Sequence, residues 1–268
     1  MSKFNGKTVL VTGGASGIGK IMGRLALEKG ARLIIWDINP QSLESAKTEL
    51  SKIGQVDTFS VDVSDKEQVH KAANDVIETI GFVDILINNA GIVVGKYFHE
   101  HSTAEITKTM DVNSIAPMVV TNEFLPLMVE SNSGHICTIA SMAGLASNTK
   151  MAVYVASKWA ALGWSDSLRL EMKYLKKNIK VTTITPYYIS TGMFDGVRSI
   201  LPILKPEKVA RKVIRGIERN RPIVSMPLSM RLVRFCQGIM PIGFFDWFMG
   251  RVMGIYRTME HFKGHDSN

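Results

Sequence analysis

"TVLVTGGASGIGK", residues 8–20, is the stretch on which the fold turns. Thr8 to Val11 are β-branched or aliphatic, as in a strand buried on both faces. Glycines follow at 13, 17 and 19, and a helical pattern runs from Gly17 to Lys29. Gly13 permits a tight exit from the strand. Gly17 and Gly19 let the helix start come close to a pyrophosphate and pack on the sheet, while free N–H groups and the positive helix end face the phosphates. A glycine-rich turn by itself is ordinary; this one lies between a strand and a helix, the context a nucleotide site needs.

The same alternation continues outward. Strands are predicted at 32–36, 56–61, 85–87, 134–139, 180–184 and 223–224. Helices are predicted at 41–52, 66–80, 102–129, 153–175 and 206–219. Strands alternating with helices give an α/β protein with a parallel sheet covered on both faces. Ligands of such sheets bind outside the carboxyl ends of the strands, so the chemistry is expected in the loops that follow them. The 268 residues, 46% hydrophobic, suit one domain spanning residues 1–268.

Composition excludes several classes. Lys and Arg outnumber Asp and Glu by eight, but they are scattered. Lys176, Lys177 and Lys180 gather at a helix end, where the dipole accounts for them. With no arginine-rich arm, nucleic acid is not an expected partner. No apolar signal region precedes the first strand, and Cys137 and Cys236 form no metal-like cluster. A cytoplasmic chain with reduced thiols and no metal site is expected.

Polar residues mark the strand ends. Asp37 closes the second strand; its carboxylate can accept hydrogen bonds from both ribose hydroxyls of an adenosine and would repel a 2′-phosphate. No Lys or Arg stands between Gly13 and Gly19 to offset that, so NAD is expected rather than NADP. Asp62 and Val63 follow strand three, where a carboxylate could meet the adenine amino group. Asn88-Asn89-Ala90-Gly91 follows strand four and suits a backbone lying against a ribose.

Tyr154 and Lys158, in "YVASK", are one helical turn apart and share a face. A phenol of pKa about 10 must fall by about 2–3 units to act as a base near neutrality, which takes roughly 3–4 kcal/mol. A unit charge about 4 Å away supplies on the order of 4 kcal/mol at an effective dielectric of about 20. On that arithmetic the lysine, helped by a positive nicotinamide ring, is enough.

Together, Gly13-xxx-Gly17-x-Gly19, Asn88-Asn89-Ala90-Gly91, Ser141 and Tyr154-xxx-Lys158 resemble the short-chain dehydrogenase/reductase family over nearly the whole chain. The resemblance implies a Rossmann-type doubly wound sheet and nicotinamide-dependent hydride transfer. It implies a catalytic set of Asn113, Ser141, Tyr154 and Lys158. Tyr154 would take the substrate proton, Ser141 would bond the substrate oxygen, and Asn113 would hold a water that relays protons from Lys158. Lys158 would also bind the nicotinamide ribose. Cofactor contacts are further implied from Ser16, Ile18, Pro186, Ile189 and Thr191. Where the family usually has Pro-Gly, this chain has Pro186-Tyr187, so the loop must turn differently or tolerate a bulky neighbour.

Residues 187–204 are expected to form a substrate loop and 226–262 a helical lid. The segment from Met230 to Met259 is rich in Phe and Met, with Arg231, Arg234, Arg251 and Arg257 interspersed. Its uncharged run of eleven residues, 235–245, is too short to span a bilayer. A lid over an apolar pocket is the favoured reading; an amphipathic face resting on a membrane competes with it. The stretches 186–194 and 258–264 are similar to the retinol dehydrogenase and 17β-hydroxysteroid dehydrogenase branch. That similarity implies a hydrophobic alcohol or carbonyl as substrate, and the family implies a homodimer or homotetramer through the long helices. Ala156, Ala160 and Ala161 would permit close packing there. A carbonyl or 3-oxoacyl reductase and a catalytically silent NAD-binding scaffold are the rival readings. Residues from Gly264 to Asn268 read as a frayed tail.

Overall fold

The computed structural model describes residues 2–227 and 232–264. The readings that touch Met230, Arg231 and the tail from 265 to 268 lie outside the described residues. Seven strands form one sheet: β1 (Thr8–Thr12), β2 (Arg32–Asp37), β3 (Val56–Ser60), β4 (Ile85–Asn88), β5 (Gly134–Ile139), β6 (Ile179–Pro186) and β7 (Ile223–Met226). All neighbours run parallel, in the order β3-β2-β1-β4-β5-β6-β7. The order reverses between β1 and β4, which opens a crevice at their carboxyl ends.

Alternation along each strand divides the core in two. Val9, Val11, Leu33, Ile35 and Ile87 face α1 (Gly17–Leu27), α2 (Pro40–Leu50) and α7 (Pro206–Glu218). Leu10, Ile34, Trp36, Leu86 and Ile136 face α3 (Lys66–Thr79), α5 (Ala116–Glu130) and α6 (Ala152–Tyr174). The helices start where their caps dictate. Asn39 accepts the Ser42 N–H ahead of Pro40, and the Asp65 carboxylate accepts from Glu67 and Gln68.

One element differs from expectation. The helix predicted over 102–129 is two helices, α4 (Thr103–Met110) and α5, joined by a wide π-helical turn at Asp111–Ile115. One inserted residue leaves the apolar period nearly unchanged, so the pattern reads as continuous. The region 103–130 is apolar and long enough to cross a membrane, yet half of its most apolar window is buried inside the molecule.

Past β7, α8 (Leu232–Ile239), α9 (Ile242–Trp247) and two short turns lie over the carboxyl edge of the sheet. Val233, Phe245, Met249, Ile255 and Met259 join Tyr154, Tyr187 and Tyr188 in a third apolar cluster. The 187–204 loop closes at its base, where Ile189 pairs with Leu204. The chain end straps it down: Arg198 N–H donates to the Thr258 carbonyl and Lys263 N–H to that of Asp195.

Candidate active site

A cavity of about 720 Å³ lies at the reversal point. One end is the glycine loop. Gly13 and Gly17 have φ of +61° and +51°, which side chains rarely adopt. A Cβ on Gly19 would stand 2.1 Å from the Gly13 carbonyl oxygen, so Gly19 closes the loop on itself behind the cavity and does not line it. A Cβ on Gly17 would make only an ordinary contact, with the Thr191 side chain at 3.8 Å. Ser16 caps α1 without a side-chain hydrogen bond, and the first turn carries no acidic residue. Its N–H groups therefore remain donors at the positive end of a helix dipole. Donors without acceptors, and glycine where a side chain would intrude, fit a dinucleotide's phosphates.

Two residues hold this loop in shape. Asn89 Nδ2 donates to the carbonyls of Thr12 and Gly13, at 3.0 and 2.9 Å. Asp37 Oδ2 accepts the Ala15 N–H at 3.0 Å and faces the cavity. Asn88, read with Asn89 as a pair, turns the other way. As the last residue of a strand it points to the opposite face, where it donates to Thr121 at 2.9 Å. Asp62 and Val63 line the cavity as expected, but Asp62 is already engaged by Ser64 and by Lys108 Nζ at 2.8 Å. Burial works against its ionisation, yet the Lys108 and Ser64 hydrogen bonds outweigh that and hold its carboxyl below the usual range. A second lone pair on Oδ2 is left for a ligand.

At the other end, Ser141 follows β5 and Tyr154 and Lys158 project from α6 into the same cavity. The Lys158 ammonium is 5.7 Å from the centre of the Tyr154 ring and donates to the Ile139 carbonyl at 3.1 Å. Gly91 leaves room for it, since a Cβ there would be 3.5 Å from the ammonium. Asn113 does not reach the cavity. The π-helical turn aims its amide at the Ile92 backbone, accepting from N–H and donating to C=O at 2.9 Å each, and at the Ser157 hydroxyl. It thereby fixes the loop that carries Gly91.

The electrostatics revise the sequence arithmetic. Tyr154 and Lys158 are both almost wholly buried. Burial pushes the phenol up to about 12, against a lowering hydrogen bond from Ser141, and pushes the ammonium down to about 8. Both shifts favour the neutral forms. A phenolate at neutral pH then costs about 7 kcal/mol rather than 3–4. A unit charge about 4 Å away at a dielectric of about 20 supplies only on the order of 4 kcal/mol. The lysine alone is therefore insufficient, because burial of the phenol raises the cost of its charge.

Pro186, Ile189 and Thr191 line the cavity along with Ser16, Ile18, Ala90 and Gly91. Tyr187 needs no glycine-like backbone, because its φ is negative. Its ring lies edge-on to Tyr188 at 4.7 Å, and its hydroxyl meets Ser199 at 2.8 Å. Phe194 is edge-on to both Tyr188 and Tyr154. Asn148 was missed by sequence reasoning. It donates to the Tyr188 hydroxyl and to Thr258, each at 2.9 Å, on the cavity wall. It sits in the loop after β5, so the strand-end rule could have flagged it. Lys108 carried no such signal.

A sequence profile described as short chain dehydrogenase matches residues 7–200. Epidermal retinol dehydrogenase 2 of Mus musculus is 35% identical over 266 residues, covering 97% of this chain and 86% of that protein. Retinol dehydrogenase 10 of Homo sapiens is 35% identical, covering 88% and 79% respectively. A short chain dehydrogenase/reductase from Burkholderia phymatum, crystallised with NAD, superposes with a TM-score of 0.82. It is 24% identical and covers 89% of this chain and 95% of its own, a likeness of fold.

Proposed function

The chain belongs to the short chain dehydrogenase family and is a nicotinamide-dependent oxidoreductase; from that premise we propose that it oxidises a hydrophobic, retinoid- or steroid-like alcohol with NAD, or reduces the matching carbonyl. The observation that carries the reading is one cavity with Ser141, Tyr154 and Lys158 at one end, the glycine cradle at the other, and an apolar wall between. The wall includes Met142, Met151, Phe194 and Ile255, which offer an apolar substrate dispersion contacts and no hydrogen bonds. The names of the two retinol dehydrogenases it is similar to support the same substrate class.

Gly17, Ser16, Ile18 and Thr191 would hold the phosphates, Asp37 the adenosine ribose, and Lys158 the second ribose. When bound, the nicotinamide accepts or returns a hydride. The protein's own part is proton handling. The Ser141 hydroxyl bonds the substrate oxygen, and the Tyr154 phenolate takes its proton. Lys158 stabilises the phenolate, with the rest of the stabilisation coming from the cofactor's positive charge. Water is kept off the reacting atoms by the 187–204 loop and the lid. Asn113 positions the Gly91 loop through its side chain, and the water relay from Lys158 that the resemblance implies stays part of the proposal.

The test is NADH formation on a panel of retinoids, steroids and long-chain alcohols. Turnover is expected with at least one, and Tyr154→Phe should abolish it while NAD binding persists; unchanged turnover in that variant sinks the mechanism. Cofactor choice is checked separately. Asp37→Ser should raise KM for NAD about tenfold, one lost hydrogen-bonded charge contact being worth about 1.5 kcal/mol, and narrow the gap to NADP. A cytoplasmic location completes the proposal, as does a homo-oligomer built on α6. The alanines divide there: Ala161 is buried in the core, while Ala156 and Trp159 lie on the exposed stripe.

A further inference from the structure

The lid carries apolar surface on its outside as well as its inside. On α8, Val233 packs inward, but Leu232, Phe235 and Ile239, at i, i+3 and i+7, face out at 61%, 65% and 66% exposure. The row continues through Ile242, 80% exposed, to Phe244 and Trp247, whose rings lie tilted to each other with centres 5.7 Å apart. Single exposed leucines or phenylalanines are ordinary; six large apolar side chains within sixteen residues form a patch that needs an occupant.

Charge identifies the occupant. Arg234 and Arg251 are exposed on the same segment, with Arg257 exposed further on and 3.9 Å from Glu260; Asp246 and Glu260 are the acidic residues among the described residues of the lid. Asp246 already accepts a hydrogen bond from the Tyr256 hydroxyl at 2.7 Å. A second copy of the chain on this face would bring the same cations together, which disfavours a self-contact. Exposed aromatic and aliphatic side chains interspersed with Arg234 and Arg251 match the boundary between the acyl and headgroup layers of an anionic membrane.

We propose that α8 and α9 dock this face on the surface of a bilayer containing anionic lipid. Phe235, Ile239, Ile242 and Trp247 enter the headgroup boundary, and Arg234 and Arg251 meet lipid phosphates. The inner face of the same helices belongs to the apolar cluster that contains Tyr154, so docking sets the apolar wall of the cavity beside the lipid. Docking rests on the lid's own surface and not on the dehydrogenase reaction, so either can fail while the other stands.

The experiment is co-sedimentation of the full chain with phosphatidylcholine vesicles, with and without phosphatidylserine. The protein should partition onto the phosphatidylserine vesicles at least about tenfold more strongly, given the usual strength of a cation near an anionic surface. Phe235→Ser/Ile239→Ser/Ile242→Ser should lose the binding while NAD affinity and the thermal midpoint stay unchanged. Should that variant fail to fold, Arg234→Glu/Arg251→Glu carries the test and should erase the preference for phosphatidylserine. Wild-type protein left in the supernatant with both vesicle types overturns the proposal. So does a folded triple variant that sediments as well as wild type. A wild-type dimer that the triple variant converts to monomer, without vesicle binding, overturns it as well and assigns the face to a second copy.

Discussion

Tyr154 and Lys158 show how two residues can be correct in type and spacing while their energetics are set by everything around them. Burial disfavours the charge on both, so the phenol at about 12 and the ammonium at about 8 each lean toward neutrality. Alcohol oxidation needs the phenolate, whose fraction grows with pH, so kcat/KM should rise with pH up to the apparent pKa of the coupled pair. Lys158→Met should move that inflection upward and cut the rate at pH 7 by roughly 10²–10⁴, as removal of an acid–base aid typically does. A pH profile of NADH formation reads both. A lysine that merely packs would lower the plateau and leave the inflection where it was. Buried His135, bonded to Ser2 and Thr182, gives a second pH readout. Burial, aided by Lys180, lowers its pKa to about 3 from the usual 6.5. The unfolded chain takes up that proton first, so stability should fall as pH drops from about 6.5 toward 3. Urea unfolding at pH 7 and pH 5 measures it, and His135→Asn should flatten the dependence.

The glycine loop and the π-helical turn act as whole elements. Within the loop, Gly19 and Gly17 do separate jobs, and alanine at each should tell them apart. Gly19→Ala forces a methyl onto the Gly13 carbonyl and should destabilise by about 1–3 kcal/mol, the usual cost of overpacking. Gly17→Ala meets only an ordinary contact with Thr191 and bears the left-handed backbone, about 1–2 kcal/mol, but its methyl enters the cradle and should weaken NAD binding more than it weakens folding. Thermal unfolding beside NAD titration separates the two. Seven strands and five helices were legible because their apolar periods are local properties of the chain. The π-helical turn was not, since one inserted residue hardly disturbs that period, and with it went the true orientation of Asn113. Asn88 and Asn89 could not be told apart for a related reason: which way the last residue of a strand points depends on where the strand ends.

Over the whole molecule, the exposed stripe of α6 is the surface on which assembly would occur. Trp159, half exposed, stands at its centre with Leu170 and Tyr174 further along. Trp159→Glu should convert the oligomer to monomer in light scattering, with little change in the monomer's own fold; wild-type protein that is already monomeric refutes the assembly. The sequence alone settled the layered α/β plan, the strand-end loops as the place of the chemistry, and most of the side chains that line the cavity, because glycine spacing, helix caps and strand periods are written in near neighbours. Tertiary structure alone decided how costly the Tyr154 phenolate is, which asparagine faces the cavity, and that the lid is apolar on both sides. Each of those depends on burial, and burial is set by residues such as 154, 194, 245 and 259 that are distant along the chain and meet only when it is folded.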